Sequence, residues 1–158
     1  KVSYGGGVQE ETEQMKFIYE LNRSTAKSRS LKGGNEMMSS NDRLHPHIRA
    51  ELTNHLRKLS KETALRTYEH PERTKFSKEN RCYVFITVCP PTRRRMDSPN
   101  WYPTIKALID GLTDAGVFED DNDKVIKGYF FCGGNVTDNK KYRIELDIRK
   151  EAEIQWPT

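Results

Sequence analysis

The residues Cys82–Cys89 constrain the fold of this chain more than any other segment. They read CYVFITVC, which is rich in β-branched and aromatic residues, and two prolines follow them directly. Such side chains pack well on a pleated sheet, whereas proline cannot continue the hydrogen-bond ladder of a strand. The pattern therefore predicts a buried β-strand that stops sharply at Pro90-Pro91.

Three further segments have the pattern of strands. Residues 15–21 and 125–132 are short segments rich in apolar side chains, and residues 141–149 alternate between apolar and charged or polar side chains. A regular alternation predicts a strand with one buried and one solvent-facing side. Turn-forming residues at 133–135 and 138–139 separate the last two segments, so we predict that these two strands form a hairpin.

Two segments have the three- and four-residue spacing of helices with one apolar face. In the first, apolar residues recur from Ile48 to Leu59, after a candidate N-cap at Asn41 or Asp42. The second helix is predicted over about residues 102–115, and a glycine follows it as a stop signal. The predicted order is strand, helix, strand, helix, strand, strand. We therefore expect an α+β (mixed α/β) domain with a small mixed sheet and two main helices.

The remaining segments are assigned from their composition. Residues 1–14 contain three consecutive glycines followed by glutamates, which is typical of a flexible extension. Residues 22–40 are polar and contain glycine, which predicts a long mobile loop. A chain of 158 residues fits one compact core, so we expect a single domain over residues 15–150 and a tail over residues 151–158.

Composition also narrows the class of protein. No apolar stretch approaches the roughly 20 residues of a membrane span, so we expect a soluble protein without a membrane partner. Residues 1–14 lack the apolar core of a secretory signal. The three cysteines, Cys82, Cys89 and Cys132, form no CxxC pair. We therefore expect a cytoplasmic protein with reduced thiols.

The charges are unevenly distributed along the chain. The net charge is +4, but residues 15–80 hold 14 Lys and Arg against 8 Asp and Glu, whereas residues 92–123 hold 4 against 7. A protein that holds a polyanion with cations and a metal ion with carboxylates has such a layout. Solvated, charged helices produce the same layout and remain the alternative.

Carboxylates from two loops are candidates for a metal site. Asp97 follows the predicted buried strand, and Asp120 and Asp121 follow the second helix. If this helix packs on the sheet, the two loops can converge. A hard divalent cation then compensates the repulsion between the carboxylates, typically Mg²⁺, with Mn²⁺ as a substitute. An acidic surface turn is the alternative for Asp120 and Asp121.

Several cationic and polar residues accompany these carboxylates. Lys106 and Asp110 lie one helical turn apart, either as an ion pair on a solvated face or with the lysine placed to stabilise charge on a phosphate. Asn100 is either an oxygen ligand or the cap of the second helix. Three consecutive arginines can pair with phosphates, namely Arg93, Arg94 and Arg95.

In this order, these residues resemble the RusA-type Holliday junction resolvases, small endonucleases often found in phages and prophages. The family pattern is a strand ending near prolines, a basic run, an aspartate-rich loop with Asn, a helix with Lys, then Asp-Ala-Leu, Ala-Gly and Asp-Asp. The likeness covers about residues 82–150. The matching residues here are VCPPTRRRMDSPN, Lys106, Asp110-Gly111-Leu112, Ala115-Gly116 and Asp120-Asp121.

The resemblance implies a RusA-like endonuclease domain over residues 15–150. It implies a homodimer that binds four-way DNA junctions and makes paired, Mg²⁺-dependent nicks in DNA recombination and repair. It further implies that Asp97 and Asp121, with Asp120 adjacent, are metal ligands and that Lys106 assists catalysis.

The chain departs from the family pattern in two places. Pro99 stands where the family has its second aspartate, and the gap from Asn100 to Lys106 is three residues longer than the usual gap in the family. Either Asn100 or Asp110 then takes the place of the missing ligand. The alternative is a protein on the same scaffold that binds branched DNA with weakened catalysis or none. A third candidate is a protein whose acidic site acts on RNA.

Overall fold

The computed structural model describes residues 15–68 and 75–157, so the extension predicted at residues 1–14 lies outside the described part. The main elements are β1 (Met15–Leu21), α1 (Pro46–Thr67), β2 (Cys82–Cys89), α2 (Tyr102–Asp114), β3 (Ile126–Gly133) and β4 (Tyr142–Lys150). Two short 3-10 helices lie at Ser98–Trp101 and Glu151–Glu153. The α+β class and the predicted order of elements are confirmed. Within the described residues, no helix is both long enough and apolar enough to cross a membrane.

The four strands form one mixed sheet in the order β1-β4-β2-β3. β4 runs antiparallel to both β1 and β2, whereas β2 and β3 are parallel and are joined through α2. The predicted hairpin between the last two strands is therefore wrong. The turn residues carry the chain around the end of β2 instead: the N–H of Gly134 donates to the carbonyl of Val88, and the N–H of Thr137 donates to that of Pro90.

Helices and strands share one hydrophobic core. The alternation predicted for β4 is confirmed, because Ile144, Leu146 and Ile148 are buried and the residues between them are more exposed. The buried strand residues belong to the same cluster as buried apolar residues of α1 and α2, such as Leu52 and Leu108. This core fixes α2 against the sheet.

The other face of the sheet carries aromatic side chains. The rings of Phe85 and Phe130 stack with their centroids 5.0 Å apart, and the side chain of Phe130 is exposed. After β4 the chain returns to this face, where the ring centroid of Trp156 lies 5.2 Å from that of Tyr83. The predicted C-terminal tail therefore packs on the sheet.

The first helix starts later than predicted. α1 begins at Pro46, and its N-cap is His45, whose Nδ1 accepts a hydrogen bond from the N–H of His47 at 3.2 Å. Proline suits the first turn of a helix because its missing N–H would have no partner there. The predicted caps, Asn41 and Asp42, lie outside the helix.

Glycine at position 111 allows α1 and α2 to approach closely. A Cβ atom on Gly111 would lie 2.2 Å from the carbonyl oxygen of Arg57 and 2.7 Å from the Cβ of Ser60. Both distances are shorter than any non-bonded contact that a folded chain tolerates. The absence of a side chain therefore sets the position of α2, including the face that carries Lys106 and Asp110.

The segment predicted as a mobile loop is anchored in the core. Met37 and Met38 are buried, and the side-chain amide of Asn35 donates to the carbonyls of Arg29 and Met37, both at 2.8 Å. The N–H of Met38 donates to the hydroxyl of Thr104 in α2 at 2.8 Å. This loop is therefore fixed to the first turn of α2.

Candidate functional site

Lys106, Asp110 and Asp121 form a cluster, called here the lysine–carboxylate cluster. Lys106 and Asp110 lie one turn apart on α2, and the Nζ of Lys106 donates to the Oδ1 of Asp110 at 2.8 Å. Asp121 comes from the segment between α2 and β3, and its Oδ2 accepts a second hydrogen bond from the same ammonium. The side chain of Lys106 is 43% exposed, so an incoming ligand can reach it.

The two carboxyl groups of the cluster have opposite pKa shifts. Burial, together with the charge of Asp121, raises the pKa of Asp110 above its usual value despite the favourable contact with Lys106. Burial also acts to raise the pKa of Asp121, but hydrogen bonds from Lys106 and Asp110 outweigh it and lower that pKa. For Lys106, burial is outweighed by the two carboxylates, so its pKa is raised and the ammonium stays charged. One fixed cation thus holds two interacting acids.

Tyr129 lies close enough to the cluster for the charges of Asp121 and Lys106 to affect its pKa. The ring of Tyr129 in β3 meets that of Tyr102 edge to face, with centroids 6.0 Å apart. Burial raises the pKa of Tyr129, and Tyr102 and Asp121 add to this shift, so its hydroxyl remains neutral. The sequence reasoning missed Tyr129, although the two-residue period of β3 places it on the side of the sheet opposite the exposed Phe130.

A second feature is a groove of about 460 Å³ beside the start of α2, called here the arginine groove. Its charged and amide-bearing lining residues are Arg23, Arg94, Arg95, Asp97 and Asn100. The sequence reasoning missed Arg23, since no local pattern marks this residue. Its guanidinium lies 5.2 Å from the centre of the buried Trp101 ring, a cation–π contact that orients it.

The predicted arginines and Asn100 lie in or next to this groove. Arg94 and Arg95 line it, and Arg93 is exposed beside them. No carboxylate among the described residues forms an ion pair with these three arginines. Asn100 does not cap α2, because it lies within the 3-10 helix and the N-cap is Trp101.

The predicted metal ligands are distributed over three places. Asp97 is exposed in the arginine groove, and Asp121 belongs to the lysine–carboxylate cluster. Asp120 accepts hydrogen bonds from the N–H of Asp121 at 2.7 Å and from the side-chain amide of Asn122 at 3.0 Å, so it shapes the turn. Among the described residues, no three side chains of His, Cys, Asp or Glu are grouped closely enough to hold a metal ion. Their assignment as a shared set of ligands stays a prediction.

The cluster nevertheless fits a divalent cation in its donor chemistry. Mg²⁺ is commonly held by one or two carboxylates, while water and substrate phosphates supply its other oxygen ligands. Asp110 and Asp121 are such a pair, because they interact directly and already share the positive charge of Lys106. Asp110 is also one of the two residues expected to replace the missing family aspartate.

Cations and carboxylates therefore meet along one stretch of the chain. The arginine groove lies where the chain enters α2, and the lysine–carboxylate cluster lies on the following turns of that helix.

Comparison with known proteins adds no family assignment: no protein-family model matches the chain, and no curated protein matches it significantly.

Proposed function

We propose that this protein is a Mg²⁺-dependent endonuclease that cleaves branched DNA, in particular four-way junctions, by phosphodiester hydrolysis. The observation that carries the proposal is the lysine–carboxylate cluster, in which one charged ammonium shares two acids. In the neighbouring arginine groove, Arg94 and Arg95 have no carboxylate partner among the described residues, so they are available to bind a phosphate backbone.

Lys106 supplies fixed positive charge to the phosphate. The carboxylates of Asp110 and Asp121 hold its ammonium at a place where it remains partly exposed. An ammonium positioned in advance stabilises the negative charge that develops on the phosphoryl oxygens without having to reorganise. The lysine therefore acts on the transition state.

Asp121 and Asp110 would hold the metal ion. Their oxygens match the ligands that Mg²⁺ prefers. When bound, the ion supplies Lewis-acid charge to the phosphate and acidifies the attacking water. Asp97 lies in the arginine groove, where it would contribute a further carboxylate.

The arginine groove positions the DNA. Arg94 and Arg95 donate to backbone phosphates, and Asn100 adds a polar contact. A homodimer supplies two such sites, which matches the twofold symmetry of a four-way junction and gives paired nicks in recombination or repair. Its mass in solution would be twice the 18.4 kDa of the chain. The proposed location is the cytoplasm, where the three free cysteines stay reduced.

The second candidate is a protein that binds branched DNA without cleaving it. It is favoured by Pro99 in place of an aspartate and by the lack of a three-carboxylate group among the described residues. Binding without cleavage in the presence of Mg²⁺ would establish this alternative.

Asp121→Asn tests the role of Asp121 in cleavage. The change removes one carboxylate charge from the cluster, so we expect cleavage of a labelled four-way junction to fall at least about a hundredfold while binding is kept. The matched control is Asp123→Asn, because Asp123 is an exposed neighbour in the same acidic segment. Equal cleavage by Asp121→Asn and the control would remove Asp121 from the site.

A further inference from the structure

The anchored loop before α1 forms a second basic groove. This loop groove has a volume of about 350 Å³. Three of its lining residues are cationic and none is acidic. The full lining consists of Thr25, Lys27, Arg29, Asn41, Arg43 and Leu44.

Asp42, the acidic residue next to this groove, is already paired with two arginines. Asp42 has a side chain that is only 2% exposed, and its carboxylate accepts two hydrogen bonds from Arg23 at 2.7 and 2.8 Å. The guanidinium of Arg29 binds the same carboxylate. Because two arginines share this one carboxylate, Arg23, Arg29 and Asp42 together keep a net positive charge beside the groove.

Asp42 also connects the loop groove to the arginine groove. Arg23 lines the arginine groove, Arg29 lines the loop groove, and both bind Asp42. The loop is further fixed to the entry of α2, since the N–H of Ser40 donates to the carbonyl of Asn100 at 2.8 Å. The two grooves therefore keep a fixed relative position without any ligand.

Two cations of the loop groove are free to bind an anion. Lys27 and Arg43 form no ion pair with any carboxylate of the described residues, and the side chains of Thr25 and Asn41 offer hydrogen-bond donors beside them. Lys27, Arg29 and Arg43 thus place three cations on one concave surface. Concave basic surfaces concentrate counter-ions and bind phosphate groups.

We propose that the loop groove binds backbone phosphates of the same DNA that enters the arginine groove, and that Asp42 sets the relative position of the two grooves. This inference rests on the proposed function, because it extends the DNA surface of that site. In this arrangement the loop contacts a DNA arm at a distance from the point of cleavage.

The test is the salt dependence of DNA binding by the double variant Lys27→Gln/Arg43→Gln. Binding of a fluorescent four-way junction is measured by anisotropy between about 50 and 200 mM salt, in EDTA so that no strand is cut. The slope of log K against log salt should become shallower by about two units, one for each lost phosphate contact.

The control is Lys58→Gln/Lys78→Gln, which changes the net charge equally at two exposed lysines outside both grooves. It should keep the parental slope, and thermal melting should show that both double variants are folded. An equal change in both variants, or the parental slope in the groove variant, overturns the inference and leaves the proposed function standing. If the parent binds no DNA, both are overturned.

Discussion

The ammonium group of Lys106 contacts two carboxylates, and this double contact restricts its position more than a single ion pair would. A simple i,i+4 ion pair on a helix surface contributes only a few tenths of a kcal/mol. Here a second acid, Asp121, approaches from outside the helix, and the two acids interact with each other. The lysine is therefore held in one place, as a group that acts on a transition state must be.

Lys106→Met tests this role. If Lys106 stabilises the phosphate in the transition state, the cleavage rate should fall roughly a hundredfold or more, with junction affinity little changed. Lys124→Met is the matched control, since Lys124 is exposed beside the acidic turn and forms no ion pair among the described residues. Single-turnover cleavage separates the outcomes: a parental rate for Lys106→Met would leave the residue a surface ion pair.

Asp42 shows how a buried charge affects stability. Burial acts to raise its pKa, but hydrogen bonds from Arg23 and Ser39 and the charge of Arg29 outweigh this, so the pKa lies below its usual 3.8. A carboxyl group with a lowered pKa in the folded state stabilises that state above its unfolded pKa. This contribution is lost as the pH falls through the folded value.

Asp42→Asn should therefore lower the free energy of unfolding by about 3 kcal/mol at neutral pH, because it leaves two arginines beside a neutral group. The difference from the parent should shrink as the pH falls below about 4. Asp138→Asn, at an exposed loop acid, is the control. Urea unfolding at several pH values measures both effects, and a loss that did not depend on pH would contradict the ion-pair explanation.

At the scale of elements, α2 is held both by its apolar face and by its close approach to α1. Gly111 faces the carbonyl of Arg57, and Arg57 in turn donates to the carboxylate of Asp114 at 2.8 Å, at the end of α2. The C-terminal half of the helix that carries Lys106 and Asp110 is thereby fixed against α1. A small shift of α2 would move both groups of the cluster.

Gly111→Ala should destabilise the protein although alanine is the better helix former. The propensity gain is about 1 kcal/mol, whereas separating two packed helices costs about 1–3 kcal/mol. We expect a lower melting temperature and slower cleavage together. Gly128→Ala is the control, because a Cβ there would meet no atom closer than 3.4 Å. An unchanged melting temperature for Gly111→Ala would contradict the close approach of the helices.

Elements whose signal lies within their own residues could be predicted from the sequence. β2 is marked by its composition, β4 by its alternation and α2 by its spacing, and all three match the structure closely. The hairpin prediction failed because pairing partners are chosen across the sheet: β3 lies beside β2, and β4 enters between β1 and β2. Local turn residues carry no information about such an order.

The same limit applies to the candidate site. The spacing of Lys106 and Asp110 predicts their contact, because one turn of helix fixes it. Asp42 has the local pattern of a helix cap, yet it binds Arg23, which lies 19 residues away in sequence. Contacts of this kind depend on how the loop folds onto α2, which no local pattern encodes.

At the scale of the whole molecule, the charges are arranged as two cationic grooves and one cluster with two acids. The grooves share Asp42 as their anchor, and the cluster follows on α2. The overall net charge of +4 is modest, so this arrangement matters more than the total.

Cleavage of an end-labelled four-way junction by the purified protein, in Mg²⁺ and in EDTA, tests the central claim most directly. Linear duplex of the same sequence serves as the control substrate. We predict symmetrically paired nicks in the junction with Mg²⁺, none with EDTA, and little cleavage of the duplex. An intact junction in Mg²⁺, under conditions where the protein binds it, would contradict the account.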